Sequence, residues 1–292
     1  MLAFGGALGY DTAMPAPCIA VILPAAGTGR RFGSSAKPKV EIDLAGKPAF
    51  LWSVELFSRR GDVGDVLIAV HPDRLDAFRF AYEDMLGLTG VQIVPGGTVE
   101  RWETVAAALD RVDDSHTHVA VHDAARPLAT QSLIDRCFAA CEKWDAVLPG
   151  VPVASTLKRV ADLEAEEMPR DAIDDILGGP ATAAPAGQRV LETIDRRDLI
   201  EVQTPQVFSL ALLRRAYAGL RDGRTDPAGV TDDAALVEAM DETVAVVEGE
   251  STNLKITRPA DAELAAALLE RRAAASAREN AERRLFVDDE DE

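Results

Sequence analysis

The sequence predicts an α/β fold in which helices cover both faces of a mostly parallel β-sheet. Short apolar runs alternate along the chain with longer segments whose apolar residues recur at helical spacing. Within the short runs the apolar residues are continuous, which is typical of strands buried on both faces of a parallel sheet. Each run ends near Pro, Gly or Asp, as expected where a strand gives way to a loop.

The elements follow one another closely, which favours right-handed crossovers between neighbouring parallel strands. The predicted strands are residues 19–23, 66–70, 91–94, 118–121 and 146–151. The predicted helices are residues 48–60, 75–86, 100–111 and 131–143. Ligands of such sheets bind beyond the carboxyl ends of the strands. Three of these ends carry glycines or charged residues, at 27–31, 96–104 and 122–126.

A β-arm is predicted at residues 151–200, because the alternation of strands and helices stops there. Residues 156–160 and 190–194 are predicted to pair as a hairpin. Between them lies an insert, residues 161–188, that is first acidic and then rich in Ala, Gly and Pro. Such a composition is typical of a solvated connection.

The rest of the chain is predicted to complete one main domain. Beyond the arm we expect late strands at 244–248 and 254–256 and a helix at 260–276. Asp232 and Asp233 are interpreted as helix caps, and a direct catalytic role for them stays open. The predicted organisation is a flexible leader (1–17), a main domain that includes the arm (18–270) and a charged tail (271–292).

Composition excludes several classes of function. The net charge of −18 argues against nucleic acid as a general partner, since phosphate backbones require a basic surface. No run reaches the roughly 18 apolar residues of a membrane span, and the leader lacks the features of a signal peptide. The three cysteines indicate a reducing, cytoplasmic location rather than a disulfide framework. Cys137 and Cys141 are interpreted as small buried residues.

The first strand leads into a glycine-rich turn that two common nucleotide motifs do not explain. The turn reads PAAGTGRRF at 24–32, and Phe32 stands where a dinucleotide fingerprint requires its third glycine. The Gly-Lys-Ser/Thr of a phosphate loop is also missing. Gly27 and Gly29 still allow backbone amides to face an anion, and Arg31 and Lys39 add full charges suited to a triphosphate.

Ten segments occur in the order in which one enzyme family carries them. They are PAAGTGRRF (24–32), PK (38–39), GG (96–97), ERWETV (100–105), VHDAARP (121–127), TLKR (156–159), TIDR (193–196), TPQVF (204–208), TDDAAL (231–236) and NLKITRP (253–259). On these segments the chain resembles the 2-C-methyl-D-erythritol 4-phosphate cytidylyltransferases, a branch of the Rossmann-like nucleotidyltransferases. The resemblance spans about residues 20–268. It implies transfer of CMP from CTP to that polyol phosphate, with release of pyrophosphate.

The resemblance also implies a role for individual residues. Arg31, Lys39, Arg196 and Lys255 would be catalytic, with Arg31 and Lys39 on the triphosphate. The nucleotide would be bound by Ala25, Ala26, Gly27, Gly29, Gly97 and Thr104. The phosphate of the acceptor would be held by Arg126, Thr156, Arg196 and Lys255. Asp123 would bind Mg²⁺, the expected cofactor. The arm would be exchanged across a homodimer, so that Thr156 and Arg196 serve the partner's site.

Two features of the chain depart from the pattern of the family. One extra residue stands in Thr98-Val99, and the arm insert is longer than a tight connection. Within the same class the alternative is a ribitol-5-phosphate cytidylyltransferase, which would differ around the acceptor phosphate. From other classes the alternatives are an NAD-binding oxidoreductase and an inactive nucleotide sensor. The complete set of basic residues argues against the sensor.

Overall fold

The computed structural model describes residues 18–27, 38–163 and 187–287, with side chains up to residue 278. The chain divides into two compact units, one within Met1–Pro149 and Gln203–Glu292, the other within Gly150–Val202. The strands are β1 (Ile19–Pro24), β2 (Asp43–Leu44), β3 (Lys47–Pro48), β4 (Val63–Val70), β5 (Val91–Pro95), β6 (His118–Val121), β7 (Ala146–Pro152), β8 (Leu157–Asp162), β9 (Gln188–Ile194), β10 (Ile200–Val202), β11 (Gln206–Ser209) and β12 (Ala245–Glu248). The α-helices are α1 (Ala49–Ser58), α2 (Leu75–Gly87), α3 (Arg101–Leu109), α4 (Gln131–Cys141), α5 (Leu210–Arg221), α6 (Asp233–Glu238) and α7 (Pro259–Val287).

The first unit is built on the predicted sheet, in the order β7-β11-β6-β1-β4-β5, with β12 beside β7. Strand β1 is parallel to both neighbours, with Val21 opposite Val66 on one side and Ala120 on the other. Strand β11 lies between β6 and β7 and is antiparallel to both. The prediction of a mostly parallel α/β sheet is therefore confirmed, with an antiparallel strand where the chain returns from the hairpin.

Strand β1 has its side chains buried on both faces of the sheet. Ile19, Val21 and Leu23 pack into one apolar cluster with residues of α1, α4 and α7. Ala20 and Ile22 pack into a second cluster with residues of α3, α5 and α6. Successive side chains of a strand point to opposite faces, so a continuous apolar run is what a sheet covered on both faces requires.

Cys137 and Cys141 lie in the first of these clusters, as the sequence predicted. Burial raises the pKa of the Cys137 thiol to about 12 and that of Cys141 to about 11. Both side chains are therefore neutral thiols at neutral pH and behave as small apolar residues.

The end of the first unit differs from the prediction in two places. Residues 254–256 do not form a strand; instead the Ile256 N–H donates to the Ala125 carbonyl at 2.9 Å and carries the segment past the loop after β6. Helix α7 continues to Val287, so much of the predicted tail, 271–292, is helical. Its Ala, Arg and Glu residues are strong helix formers. Among the described residues, no helix has both the length and the apolar character needed to span a membrane.

The second unit contains the predicted hairpin, formed by the antiparallel strands β8 and β9. The strands are longer than predicted, because Ala161 and Asp162 pair with Arg189 and Gln188. Ala161, Asp162 and Gln188 therefore do not belong to the insert predicted at 161–188. Strand β10 pairs with the end of β7 within the same unit. The remainder of the insert, residues 164–186, and the predicted leader, residues 1–17, lie outside the described residues.

Candidate active site

A pocket of about 300 Å³ opens in the first unit beyond the carboxyl ends of β1, β5 and β6. This is where a parallel sheet positions its ligand, and the volume is at the lower end of the range for small-molecule sites. Eight of the predicted site residues line it: Ala25, Ala26, Gly27, Lys39, Gly97, Thr104, Asp123 and Lys255. The sequence brings them from segments more than two hundred residues apart.

Two glycines form one wall because the backbone runs close to α3 there. A Cβ on Gly97 would lie 2.8 Å from the Thr104 nitrogen, and a Cβ on Gly96 would lie 2.7 Å from the Thr104 methyl group. The Gly97 N–H donates to the Thr104 hydroxyl at 3.2 Å. The threonine therefore fixes the glycine loop, and any larger residue in the loop would push the wall inward.

Glu103, in the first turn of α3, anchors the loop that bears the extra residue. Its Oε2 accepts the backbone N–H groups of Thr98, Val99 and Glu100 at 3.2, 2.9 and 3.2 Å. These hydrogen bonds lower the pKa of Glu103. A depressed pKa means that the stabilisation is complete above the pKa of the unfolded chain, about 4.3, and is lost as the pH falls through the folded value.

If the pocket holds the nucleotide that the sequence predicts, we expect Glu103→Ala to loosen this rim of the pocket and to weaken nucleotide binding. The expected result is a KM for the nucleotide raised about tenfold with kcat changed less than about threefold, because the contacts act on binding rather than on the reacting atoms. Steady-state kinetics measures both constants. Glu103→Gln keeps one acceptor oxygen, so its KM for the nucleotide should lie between those of Glu103→Ala and the unaltered protein. An unchanged KM in Glu103→Ala would show that the rim does not touch the nucleotide.

Asp123 follows β6, and three cationic side chains surround its carboxylate. Its carboxylate lies 2.8 Å from Lys255 Nζ, 3.2 Å from Arg101 Nε and 3.5 Å from Arg126 Nε. Burial would raise the pKa of Asp123, but the three cations outweigh burial and hold that pKa well below its usual range. The carboxylate is therefore ionised at every physiological pH, as a ligand for a hard cation must be.

His122 and Thr204 support this carboxylate from behind. The Thr204 hydroxyl accepts the Asp123 N–H at 3.1 Å and lies 3.2 Å from His122 Nδ1, while His122 Nε2 lies 3.2 Å from the Arg126 carbonyl. Burial lowers the pKa of His122 to about 4, so the ring is neutral at pH 7. A neutral ring that donates from Nε2 and accepts at Nδ1 satisfies every contact, which makes His122 a structural support.

The predicted cations occupy different parts of the chain. Lys39 begins a short 3₁₀ helix, Lys39–Glu41, whose next residue Val40 is buried in the core. Arg126 donates from Nη1 to the carbonyl of Asn253, two residues before Lys255, at 2.7 Å. Arg196, in the second unit, donates to the Ala154 carbonyl. Thr156 also belongs to the second unit, whereas Gly29 and Arg31 lie outside the described residues.

Arg101, which the sequence did not single out, and Asp233, which it interpreted as a cap, complete the electrostatics. Arg101 bridges two carboxylates, with its Nη1 2.7 Å from Asp233 Oδ2 in addition to its contact with Asp123. Asp232 caps α6 as predicted, by accepting the Ala235 N–H at 3.0 Å. The capping role predicted for Asp233 is wrong, because its buried carboxylate is taken by Arg101 and Tyr217 instead. For the link between Arg101 and Asp233, the only signal in the sequence is that the two residues belong to the ERWETV and TDDAAL segments.

Comparison with known proteins gives a consistent result. The model of the family described as 2-C-methyl-D-erythritol 4-phosphate cytidylyltransferase (IspD) matches residues 19–174 and 180–271. A protein of that name from Rhodopirellula baltica is 36% identical over 265 residues, covering 87% of this chain and 96% of the relative. One from Synechococcus elongatus is 37% identical over 254 residues, covering 86% of this chain and 96% of the relative.

Solved structures agree with these relatives. The crystal structure of the 2-C-methyl-D-erythritol 4-phosphate cytidylyltransferase from Thermus thermophilus superposes with a TM-score of 0.61 at 31% identity, covering 86% of this chain and 98% of that one. The structure of a 4-diphosphocytidyl-2C-methyl-D-erythritol synthase gives a TM-score of 0.63 at 26% identity, covering 87% of this chain and 98% of that one. The nucleotidyltransferase fold predicted from the sequence is thereby confirmed.

Proposed function

Since the chain belongs to the family of 2-C-methyl-D-erythritol 4-phosphate cytidylyltransferases, we propose how its residues transfer CMP from CTP to that polyol phosphate. The transfer gives 4-diphosphocytidyl-2-C-methyl-D-erythritol, an isoprenoid precursor, and pyrophosphate. A phosphate oxygen of the acceptor attacks the α-phosphorus of CTP, and the bond from that phosphorus to the bridging oxygen of pyrophosphate breaks. The attacking group is already an anion, so the chemistry needs charge stabilisation and alignment rather than a strong base.

The observation that carries the proposal is the convergence of positive side chains around Asp123 in a pocket that has one wall of glycines. Lys39 and Lys255 both line this pocket, and Arg101 and Arg126 approach the same carboxylate. A chain with a net charge of −18 would repel a nucleoside triphosphate unless the local field were positive. In the proposal Lys39, with Arg31, neutralises the triphosphate, and Lys255 moves from Asp123 to a substrate phosphate.

We assign the base and ribose to the wall built by the glycine turn and the glycine loop. Ala25, Ala26 and Gly27 follow β1 on one side, and Gly97 and Thr104 lie on the other. Backbone groups exposed by small residues can hydrogen-bond a flat base without steric hindrance. Gly29 is assigned to nucleotide binding from the sequence motif alone.

The residues present fit a magnesium ion bound with the nucleotide. Mg²⁺ usually takes one or two carboxylates and completes its shell with water and substrate phosphates. Asp123 supplies one ionised carboxylate at the pocket, and the described residues contain no group of three His, Cys, Asp or Glu that would hold a metal without the nucleotide. Bound there, Mg²⁺ would supply positive charge to the triphosphate.

We propose that the acceptor phosphate is held by Arg126 and Lys255 together with Thr156 and Arg196 of the hairpin unit. In the proposed homodimer these two hairpin residues act in the neighbouring subunit. The hairpin bears apolar side chains that are unusually exposed for the protein on its own, among them Val160 at 43%, Val190 at 58% and Leu191 at 51%. Exposed apolar surface of this kind is typical of a protein interface. The free thiols of the described cysteines support the proposed cytoplasmic location.

The assay that tests the proposed function measures pyrophosphate release with Mg²⁺, each of the four nucleoside triphosphates and a panel of polyol phosphates. We expect release with CTP and 2-C-methyl-D-erythritol 4-phosphate, and at least about a hundredfold lower kcat/KM for the other nucleotides, a difference of roughly 2.7 kcal/mol in transition-state binding. A preference for ribitol 5-phosphate would overturn the substrate assignment. Binding of CTP with no release under any condition would support an inactive sensor.

Arg196→Ala is expected to impair use of the acceptor rather than of CTP. Loss of a charge-assisted phosphate contact should raise the KM for the polyol phosphate at least about tenfold and leave the KM for CTP within about twofold. Arg197→Ala is the matched control, because Arg197 is 85% exposed and paired with Asp195; it should match the unaltered protein. A rise in the KM for CTP alone would show that Arg196 contacts the nucleotide and not the acceptor phosphate.

Mixing two impaired variants tests the dimer directly. If the hairpin acts in the neighbouring subunit, a 1:1 mixture of Lys39→Ala and Arg196→Ala chains, dissociated and reassociated, should recover activity at low acceptor concentration. Random pairing makes roughly a quarter of the sites intact, since half of the dimers are mixed and each has one intact site. No recovery, in a mixture shown by mass spectrometry to contain mixed dimers, would contradict the exchange of the arm.

A further inference from the structure

A second buried carboxylate, Asp233, lies on the far side of Arg101 from the pocket. Arg101 donates from Nε to Asp123 Oδ1 at 3.2 Å and from Nη1 to Asp233 Oδ2 at 2.7 Å. The Asp233 side chain is 1% exposed, and it is not among the described residues that line the pocket. One guanidinium therefore joins a carboxylate that can meet substrate to a carboxylate that cannot.

The Asp233 carboxylate is held in place by a hydrogen bond and by the helix on which it stands. The Tyr217 hydroxyl donates to its Oδ1 at 2.6 Å, and Tyr217 is itself 1% exposed. Asp233 begins α6, whose residues Ala234 and Leu236 are fully buried in the apolar cluster under the sheet. A carboxylate fixed by a packed helix and a hydrogen bond can hold the guanidinium in one orientation.

Stability alone does not explain why this buried set of charges exists. Removing charges from water is costly, and well-packed apolar residues in place of a buried ion pair are often neutral or stabilising. Asp233 thus brings a desolvation cost to a helix that already has an apolar face. A role in the geometry of the pocket accounts for it.

Arg101 and Lys255 differ in how freely they can leave Asp123. The Lys255 side chain is 36% exposed at the end of a flexible stem, so it can move to a substrate phosphate. The Arg101 side chain is 26% exposed but is held by two carboxylates, and its buried Nη2 has no hydrogen-bond partner in the part of the chain that the structure describes. Without Asp233, Nη1 and Nη2 could both turn to Asp123 and close a bidentate pair over its two oxygens.

We propose that Asp233 is a positioning residue: by holding one arm of Arg101, it keeps the Asp123 carboxylate open to the metal-bound triphosphate. The proposal rests on the role of Asp123 proposed above. Asp233 does not touch substrate in this account, and it acts only through the guanidinium. Its loss should therefore weaken the contribution of Mg²⁺ to nucleotide binding while the remaining pocket is unchanged.

The test is calorimetric binding of CTP, with and without Mg²⁺, in the absence of acceptor. Asp233→Asn keeps the size of the side chain and an acceptor for Tyr217 but removes the charge. We expect the gain in CTP affinity caused by Mg²⁺ to fall about tenfold, in line with the effect of residues that orient metal ligands. Affinity in EDTA should change less than about twofold, which a general loosening of the fold would not produce.

The matched control is Asp232→Asn, one residue earlier. Asp232 caps α6 and accepts from Gln206 at 2.7 Å, and the capping group is preserved because Asn is as good a cap as Asp. Its Mg²⁺-dependent gain should stay within about twofold of the unaltered protein. An equal loss in both variants would show that α6 matters only for stability, and would overturn the inference.

Two further variants separate this inference from the proposal on which it rests. If Asp123→Asn keeps the full Mg²⁺-dependent gain, the role of Asp123 itself is wrong. If Asp123→Asn loses the gain and Asp233→Asn keeps it, only the inference about Asp233 is overturned. Arg101→Lys serves where Asp233→Asn does not fold: one ammonium cannot span both carboxylates, so the same loss is expected, and an undiminished gain overturns the inference.

Discussion

Replacing Lys39 with alanine is expected to lower kcat at least about a hundredfold and to leave the fold intact. Removing one positioned donor from a developing negative charge typically raises the barrier by about 3–4 kcal/mol, which is a factor of 10²–10³ in rate. Lys39 lines the pocket at the start of a 3₁₀ helix, and that helix is held by buried Val40 and by the ion pair between Glu41 and Arg74 at 3.0 Å. The loss should thus be one of charge and not of local structure.

Lys47→Ala is the control for that variant. Lys47 carries the same charge eight residues further on, where it pairs with Glu55 at 2.5 Å and stacks over Trp52 at 3.7 Å. We expect its kcat within about twofold of the unaltered protein, since Lys47 is not among the described residues that line the pocket. Single-turnover rates at saturating CTP compare the two. Equal rates for both variants would remove Lys39 from the catalytic set.

Arg31→Ala is expected to resemble Lys39→Ala. The prediction depends on the sequence motif alone, because Arg31 lies outside the described residues. Near-normal turnover in both variants would disprove the assignment of the triphosphate to the glycine-rich turn.

Asp123→Asn is expected to lower activity on the order of a thousandfold and to cost several kcal/mol of folding free energy. Asparagine cannot balance the charges of Arg101, Arg126 and Lys255, which lie within 3.5 Å of the present carboxylate. Removing one partner of a buried ion cluster typically costs about 3–5 kcal/mol, because uncompensated charge remains in a low dielectric. Urea unfolding measures the stability, and pyrophosphate release measures the activity of the folded fraction.

Asp110→Asn separates the effect of burial from that of charge. Asp110 pairs with Arg221 at 2.7 Å, and both side chains are about half exposed, at 59% and 48%. We expect less than about 1 kcal/mol of destabilisation and full activity, as for other surface pairs. If Asp123→Asn proves no worse than Asp110→Asn in either measurement, the cluster around Asp123 has neither the structural nor the catalytic importance given to it here.

The strands of the main sheet could be predicted because each is a local pattern. The sequence predicts β6 with its observed ends, His118 and Val121. Both faces of this strand are buried, so no polar residue interrupts the apolar run after His118. The direction of β11 could not be predicted, because it depends on how the chain returns from the hairpin. At 254–256 strand propensity is misleading, since one hydrogen bond, from Ile256 to the loop after β6, stands in place of a ladder.

In the candidate site too, the residues that stand in local motifs could be predicted and the long-range contacts could not. Pocket residues such as Gly97 and Thr104 stand in short motifs whose order the sequence shows directly. The link between Arg101 and Asp233 joins positions 132 residues apart, and neither residue stands near Asp123 in sequence. Charge partners inside a core are fixed by packing, which no local pattern records. The sequence pattern therefore predicts a second cap at Asp233, where the structure has a buried charge partner of Arg101.

The most direct test of the account is the position of the metal and the triphosphate in a crystal of the protein with Mn²⁺ and a non-hydrolysable CTP analogue. If Asp123 binds the metal of the nucleotide, an anomalous peak lies within about 2.3 Å of an Asp123 carboxylate oxygen, with Lys39 against the triphosphate. A triphosphate bound away from this pocket, or a metal that touches only the nucleotide, would contradict this assignment.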